Sequence, residues 1–287
     1  MKPKTASLIQ LNIAVLLWGG TAMFSKGIAL PPEHITCLRA LVAAVALLAF
    51  LRATRTRFRP DNLKHYGIMG LIGLLMCLHW VTYFSALKVS SAAVAILSLQ
   101  TYVVTTALVE PFVFGERLHK IDVAVAVVVF TGVAIMVPQF KLTNTTTQGI
   151  LLGIVSGMFF MVRNLITRKY VKQYSSSTLM FWQVLVTFVL LMPLVLRSPE
   201  GVFVPKTVGL LVLLGAVFTA LPHTLHSESF KHLSGKTVGI LGTLLPFYGA
   251  VAGYFVHGET VTPRTVVGGM LILACIIFET VRSVRTR

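Results

Sequence analysis

His79 and His223 are the residues of this chain best suited to chemistry near neutral pH, because imidazole titrates there and can both donate and accept. Each sits inside a long apolar run, where a polar group is expensive unless it faces a cavity or another helix. Tyr83 follows His79 by one helical turn and shares its face, and His226 follows His223 in the same way. Aromatic and amide groups occupy similar surroundings: Trp18, Trp80, Gln100, Tyr102, Asn164, Gln183 and Tyr248. The three amides carry donors and acceptors together, which suits a polar or zwitterionic organic solute and equally suits hydrogen bonds between helices. The expected chemistry is reversible binding of a small organic molecule, with the histidines holding it or carrying protons. The competing reading is imidazoles hydrogen-bonded for structure alone.

Other chemistries find no support in the spacing. His223-x-x-His226 lies near Glu228, but that carboxylate stands about 200° round the helix from His226, so the three do not converge on a metal. Cys37, Cys77 and Cys275 are unevenly spaced, lack a C-x-x-C partner and read as packing residues. Neither a His-Glu-x-x-His motif nor a Walker loop occurs, and Gly153-Ile-Val-Ser156-Gly157 is one residue too long for the serine motif of an intramembrane hydrolase. No catalytic group, metal or cofactor is expected, and the chain is read as a non-enzyme. Two roles compete for Arg39: snorkelling to the outer headgroups, or clamping a substrate carboxylate. Its shallow place in the second apolar run favours the first, and Lys26 and Arg163 are expected to snorkel as well. Glu116 and Glu259, each after a glycine at a helix end, read as capping or hinge residues. Glu110 is placed to pair with a cytoplasmic arginine, and Trp182 reads as an interfacial anchor.

The elements that must position these groups follow from composition. Of 287 residues, 55% are hydrophobic and 12% charged, with a mean hydropathy of +0.83. Soluble domains carry about 25% charged residues, so this chain cannot cover a water-facing surface. A bilayer core about 30 Å thick needs roughly 20 apolar residues per helix. Runs of that kind occur near 7–29, 33–51, 65–87, 90–113, 120–138, 148–167, 177–196, 207–229, 235–256 and 262–281. They are continuous rather than alternating, which excludes a β-barrel. The first run, behind Lys2 and Lys4, has the outline of a signal peptide, but it stays apolar through Ala29 without a small-x-small cleavage site and is read as a span. The formal charge of +16 is a topology signal. Arg52, Arg55, Arg57, Arg59, Lys64, Arg117, Lys120, Arg168, Lys169 and Lys172 fall with both termini on one side, and only Lys88, Lys141, Arg197, Lys206 and Arg264 on the other. The positive-inside rule puts both termini in the cytoplasm. Anionic membrane lipids, not nucleic acid, are then the partners of the basic segments.

The chain also resembles itself. Ser90, Val94 and Ile96-Leu97 match Ser234, Val238 and Ile240-Leu241 at one offset, His79 pairs with His223, and Gly115-Glu116 and Gly258-Glu259 close corresponding spans one residue out of step. Five spans per half is an odd number, so the halves enter the membrane with opposite polarity, an arrangement that puts a site near the midplane between them.

These blocks resemble the EamA family of the drug/metabolite transporter superfamily: Leu17-Trp18-Gly19, Leu38-Arg39-Ala40, Gly73 to Trp80, Ala86-Leu87-Lys88 and Phe114-Gly-Glu-Arg-Leu118 in the first half. Ala220-Leu-Pro-His223-Thr-Leu225, Leu245-Pro-Phe-Tyr-Gly249 and Gly258-Glu259 are similar to its second repeat. The resemblance covers about the whole chain, which departs from the family in reading Gln100-Thr101-Tyr102 where a proline is often found in span four. It implies ten helices, a central cavity and export or exchange of small metabolites, often amino acids.

The resulting expectation is an all-α polytopic membrane protein of ten transmembrane helices in two inverted five-helix repeats, residues 1–138 and 148–287, joined by a linker at 139–147. It would act as a secondary transporter, an exporter of amino acids or related metabolites by alternating access, in a bacterial cytoplasmic membrane, with protons as a candidate coupling partner. A membrane sensor or scaffold is the alternative. A fluorescent-protein fusion at the C-terminus is expected to fluoresce and a phosphatase fusion at the same point to be inactive. The reverse pattern would place that terminus outside.

Overall fold

The computed structural model describes residues 3–285 apart from 116, 140, 172, 230–241 and 243. Among the described residues all regular structure is helical. The elements are α1 (Pro3–Gly20), α2 (Ala22–Gly27), α3 (Pro32–Ala53), α4 (Leu63–Val89), α5 (Ala92–Leu99), α6 (Thr101–Phe114) and α7 (Lys120–Met136). They continue as α8 (Thr145–Tyr170), α9 (Ser176–Arg197), α10 (Pro205–Gly215), a π-helical turn (Ala216–Ala220), α11 (Leu221–Ser229), α12 (Leu245–His257) and α13 (Pro263–Arg285). Among the described residues, seven segments are long and apolar enough to cross a membrane: Thr5–Phe24, Pro32–Ala53, Leu63–Val89, Ala92–Phe114, Thr145–Tyr170, Ser176–Arg197 and Pro205–His226. α13 contributes a shorter apolar stretch, Pro263–Phe278, while α7 and α12 are helices of 17 and 13 residues. Part of the expected span 235–256, the block from Ser234 to Leu241 and Glu116 fall outside the described residues.

Local chemistry sets the helix ends. Asn62, Ser91, Asn144 and Ser175 cap α4, α5, α8 and α9 by accepting from backbone amides in the first turn. The two glycines of the repeated Gly-Glu pairs have a common function. Gly115 (φ 72°) ends α6 and Gly258 (φ 64°) ends α12, both in the left-handed region that a side chain would strain.

Three apolar segments are interrupted partway along. α1 gives way to α2 at Thr21, whose hydroxyl donates to the Trp18 carbonyl at 2.6 Å. α5 gives way to α6 at Gln100 without a proline. The π-helical turn precedes Pro222, which has no N–H to offer the preceding turn.

Packing joins the two parts of the chain throughout. α4 lies against α8 and α9, α3 against α9 and α10, α1 against α11 and α12, α5 against α8 and α12, and α7 against α13. Small residues permit the closest approach: a Cβ on Gly157 would lie 2.8 Å from the Leu99 carbonyl oxygen, and one on Gly153 2.6 Å from Ser98 Cβ. Valines, leucines and phenylalanines such as Val127, Val189, Leu194 and Phe255 remain exposed on the outside of the bundle, where lipid would cover them.

The loops gather into two sets. In one, the α3–α4 loop is fastened to the α8–α9 corner: the Tyr174 hydroxyl donates to Asp61 Oδ2 at 2.9 Å, Gln173 Nε2 donates to the same atom at 2.7 Å, and Trp182 Nε1 donates to the Phe58 carbonyl at 2.7 Å. In the other, His34 Nε2 donates to the Ser198 carbonyl at 2.8 Å, Lys88 Nζ to the Ile28 carbonyl at 3.2 Å and Arg264 to the Pro138 carbonyl at 3.2 Å.

Gly157→Ala is expected to cost about 1–3 kcal/mol by overpacking and to lower the melting temperature in detergent, whereas Gly70→Ala, with nothing within 4 Å of its added Cβ, leaves it unchanged or higher. Hydrogen bonds from Tyr174 and then Gln173, with the Arg57 charge adding to them, hold the Asp61 carboxyl below its ordinary value. That stabilisation is present above the unfolded carboxylate pKa of about 3.9 and is lost as pH falls through the lower folded value. Wild type should therefore lose more thermal stability than Asp61→Asn on acidification below about pH 4, as measured by melting curves.

Candidate functional site

Thr21 and Gln100, at two of the interruptions, line a cavity of about 60 Å³, and Thr219, in the third, hydrogen-bonds the lining residue Arg39. The cavity has room for a few waters and is small beside ligand pockets of about 300–1,000 Å³, so an organic solute requires it to widen. Trp18, His79, Trp80, Tyr83, Gln100, Tyr102, His223 and His226 all contribute to its wall. These expected site residues come from both halves of the chain.

His79 hydrogen-bonds across to α8. Its Nδ1 lies 2.8 Å from Ser156 Oγ and 3.1 Å from the Ser156 carbonyl oxygen, and Ser156 Oγ donates to the His79 carbonyl at 2.8 Å. With the hydroxyl proton on that carbonyl, both oxygens facing Nδ1 accept, so Nδ1 carries a proton and a neutral ring keeps its lone pair on Nε2. The ring faces Phe160 at 4.6 Å and Tyr83 at 6.2 Å. His223 sits between two indoles, 4.8 Å from Trp18 and 5.6 Å from Trp80, and His226 is 4.7 Å from Trp18.

Arg39 departs from the sequence expectation. It is 2% exposed and lines the cavity instead of reaching headgroups. The α9–α10 loop explains this, because its contact with the buried His34 folds protein over the end of α3 that was expected to meet the membrane surface. The Arg39 guanidinium lies 4.1 Å above the Trp80 ring and 5.0 Å from Phe84, and its Nε donates to Thr219 Oγ1 at 3.1 Å. Its Nη1 is buried with no hydrogen-bond partner among the described residues, and so are two further cavity atoms, Trp18 Nε1 and Gln100 Oε1. Gln100 Nε2 donates to the Gly242 carbonyl at 3.1 Å, which fixes the orientation of that amide.

Arg163 is also interior, 3% exposed, where snorkelling was expected. Its Nε donates to Gln183 Oε1 at 2.5 Å and its Nη1 to Asn164 Oδ1 at 2.7 Å, behind the Phe160 ring. Asn164 and Gln183 therefore hold an arginine and do not line the cavity. Tyr248 is a packing residue beside Gly19, whose Cβ, if present, would be 2.4 Å from the tyrosine Cβ. Thr21 and Phe160 are lining residues that the sequence did not single out, and Arg39 is one for which it favoured the other role. A threonine directly after Gly19-Gly20 was the available signal for the α1 interruption.

No carboxylate lines the cavity among the described residues. The acids pair at the ends of the bundle. Glu110 bonds Arg168 and Asp122 bonds Arg282. Glu259 accepts from Lys26 Nζ at 2.5 Å and from the Ala92 amide at 2.7 Å. Glu259 thus caps the first turn of α5 in the other half, and Lys26 is in an ion pair.

The EamA-like transporter family model matches residues 5–137 and again 147–280. An uncharacterized transporter of Archaeoglobus fulgidus is 24% identical over 92% of this chain and 93% of its own length. The threonine/homoserine exporter RhtA of Escherichia coli is 22% identical over 99% and 93%, and the pseudopaline exporter CntI of Pseudomonas aeruginosa 22% over 86% and 86%. One solved crystal structure superposes with a TM-score of 0.69 at 20% identity over 98% of both chains, a likeness of fold. Matched by the family model in both halves, and built of apolar helices, this chain belongs to the EamA-like transporter family and is an integral membrane transporter.

Proposed function

We propose that the protein is a ten-helix secondary transporter in which two inverted five-helix repeats, 1–138 and 148–287 with a linker at 139–147, rock about the cavity and export small organic metabolites, amino acids foremost. The observation that carries this reading is the convergence on one cavity of His79 from α4 and His223 from α11, with Trp18 and Trp80 beside them. The packing pattern supports the repeat. Exchanging the halves turns the α4–α8 contact into the α11–α1 contact, α4–α9 into α10–α3 and α6–α8 into α12–α1, while α3–α9 and α7–α13 map onto themselves. The exporters among the relatives support the direction and the class of solute.

In this account the site residues are His79, Tyr83, Trp18, Trp80, Gln100, Tyr102, His223 and His226, with Asn164, Gln183 and Tyr248 supporting the wall. His79 holds its ring by Nδ1 and leaves Nε2 for the solute or a proton. The Lys26–Glu259–Ala92 contact ties the two halves at one end and Glu110–Arg168 at the other. One of these must loosen whenever the cavity opens toward its side. The protein would sit in a bacterial cytoplasmic membrane with both termini in the cytoplasm, surrounded by lipid, with protons as the candidate counter-ion.

Cells overexpressing the protein should survive toxic amino-acid analogues or dipeptides at several-fold higher concentration than control cells and hold less of the compound inside. The His79→Gln, His223→Gln double variant should lose that resistance. Unchanged resistance and pH dependence in the double variant would remove the histidines from the pathway. No altered flux for any compound, with the protein confirmed in the membrane, would favour a sensor or scaffold.

A further inference from the structure

Three polar atoms of the cavity wall are buried and unpaired among the described residues: Arg39 Nη1, Trp18 Nε1 and Gln100 Oε1. An arginine kept only for packing would have its donors satisfied, because an unmet buried donor on a charged group costs more than one on a neutral group. Arg39 instead rests on the π faces of Trp80 and Phe84, uses Nε on Thr219 and presents an idle N–H in a cavity that has no lining acid among the described residues. Arg163 behind Phe160 adds a second buried positive charge. The wall therefore lacks a negative charge that a ligand can bring.

The remaining valences narrow the ligand. Two donors, one cationic, suit the two oxygens of a carboxylate, for which guanidinium geometry is well matched. Gln100 Oε1 is an acceptor and cannot be turned into a donor while its amide nitrogen serves the Gly242 carbonyl. A sulfate ion, fully ionised at neutral pH, brings only acceptors and would leave that oxygen unpaired. A cationic solute would meet Arg39 and Arg163 with no opposing charge on the wall.

We propose that Arg39, with Trp18 and Gln100, is the recognition point for the transported solute, which carries one carboxylate beside a hydrogen-bond donor such as an ammonium or hydroxyl group. Arg39 and Trp18 donate to the carboxylate and Gln100 accepts from the neighbouring donor. This rests on the transport reading and adds to it the charge and shape of the group recognised.

The test uses the full chain with Trp182→Phe in lipid vesicles, so that the intrinsic tryptophan fluorescence comes from the two cavity tryptophans. Each standard amino acid is titrated against its own carboxamide, and inorganic sulfate is titrated alone. At least one acid should give a saturable change, its amide should bind at least tenfold more weakly, and sulfate should give none. Arg39→Gln should abolish the response, and Arg39→Lys should weaken it about tenfold while eluting and melting as a folded protein. Amides binding as well as acids, a response to sulfate, no response to any acid, or undiminished binding by Arg39→Gln would overturn the assignment. The amide comparison needs no Arg39 variant and stands even if Arg39→Gln fails to fold. Flux of an uncharged or cationic solute without binding of any acid would sink this proposal and leave transport standing. Binding of an acid with no flux of any solute would do the opposite.

Discussion

A guanidinium buried among apolar helices is the constraint on which much of this structure depends. Moving a bare charge out of water costs several kcal/mol even after the protein relaxes, and Arg39 is 2% exposed. The surroundings answer that cost with two aromatic faces and one hydroxyl. The hydroxyl is available because Thr219 lies in the π-helical turn, where it also donates to the Leu214 carbonyl five residues back at 2.7 Å. Pro222 disturbs the ordinary helical hydrogen bonding just beyond. Sequence, backbone irregularity and charge thus meet at one point on the wall of the cavity.

The same logic organises the rest of the bundle. Helices break at Thr21 and Gln100, which both line the cavity, whereas α3, α4 and α8 bring Arg39, His79, Trp80, Tyr83 and Phe160 to the same wall without a break. Charge pairs are kept at the two ends, where helix termini and loops can hydrate them, and the middle holds cations, imidazoles and aromatic rings without a lining acid among the described residues. Each pair sets a largely covered carboxylate, Glu110, Asp122 or Glu259, against a more exposed base. The Glu259 cap on α5 joins the two halves without fusing them.

Much of this was legible in the amino-acid sequence. Long apolar runs, their proline and glycine punctuation and the repeated Gly-Glu pairs follow from hydropathy and backbone sterics, and the left-handed Gly115 and Gly258 give the pairs a physical reason. The two histidines and their neighbouring tryptophans were visible because polar groups in apolar runs are rare. Arg39 and Arg163 were misread for one shared reason: distance from a span end was taken as depth in lipid, yet tertiary structure decides what covers that end. The α9–α10 loop covers α3, and Asn164 with Gln183 hold Arg163 inside. Asn164 and Gln183 looked like ligand groups because an amide that binds a solute and one that binds an arginine have the same sequence signature. The break at Gln100 was hidden by the lack of a proline there.

The central claim is that the cavity is a pathway reached from each side of the membrane in turn. In a background with Cys37, Cys77 and Cys275 replaced, a single cysteine at Thr21 can be offered a membrane-impermeant thiol reagent in right-side-out and in inside-out vesicles. The account predicts labelling from both sides, with outward labelling rising and inward labelling falling together when a bound solute or a charge-removing change at Glu259 shifts the balance. Labelling from one side only, or from neither, whatever the solute and whatever stands at position 259, would contradict it.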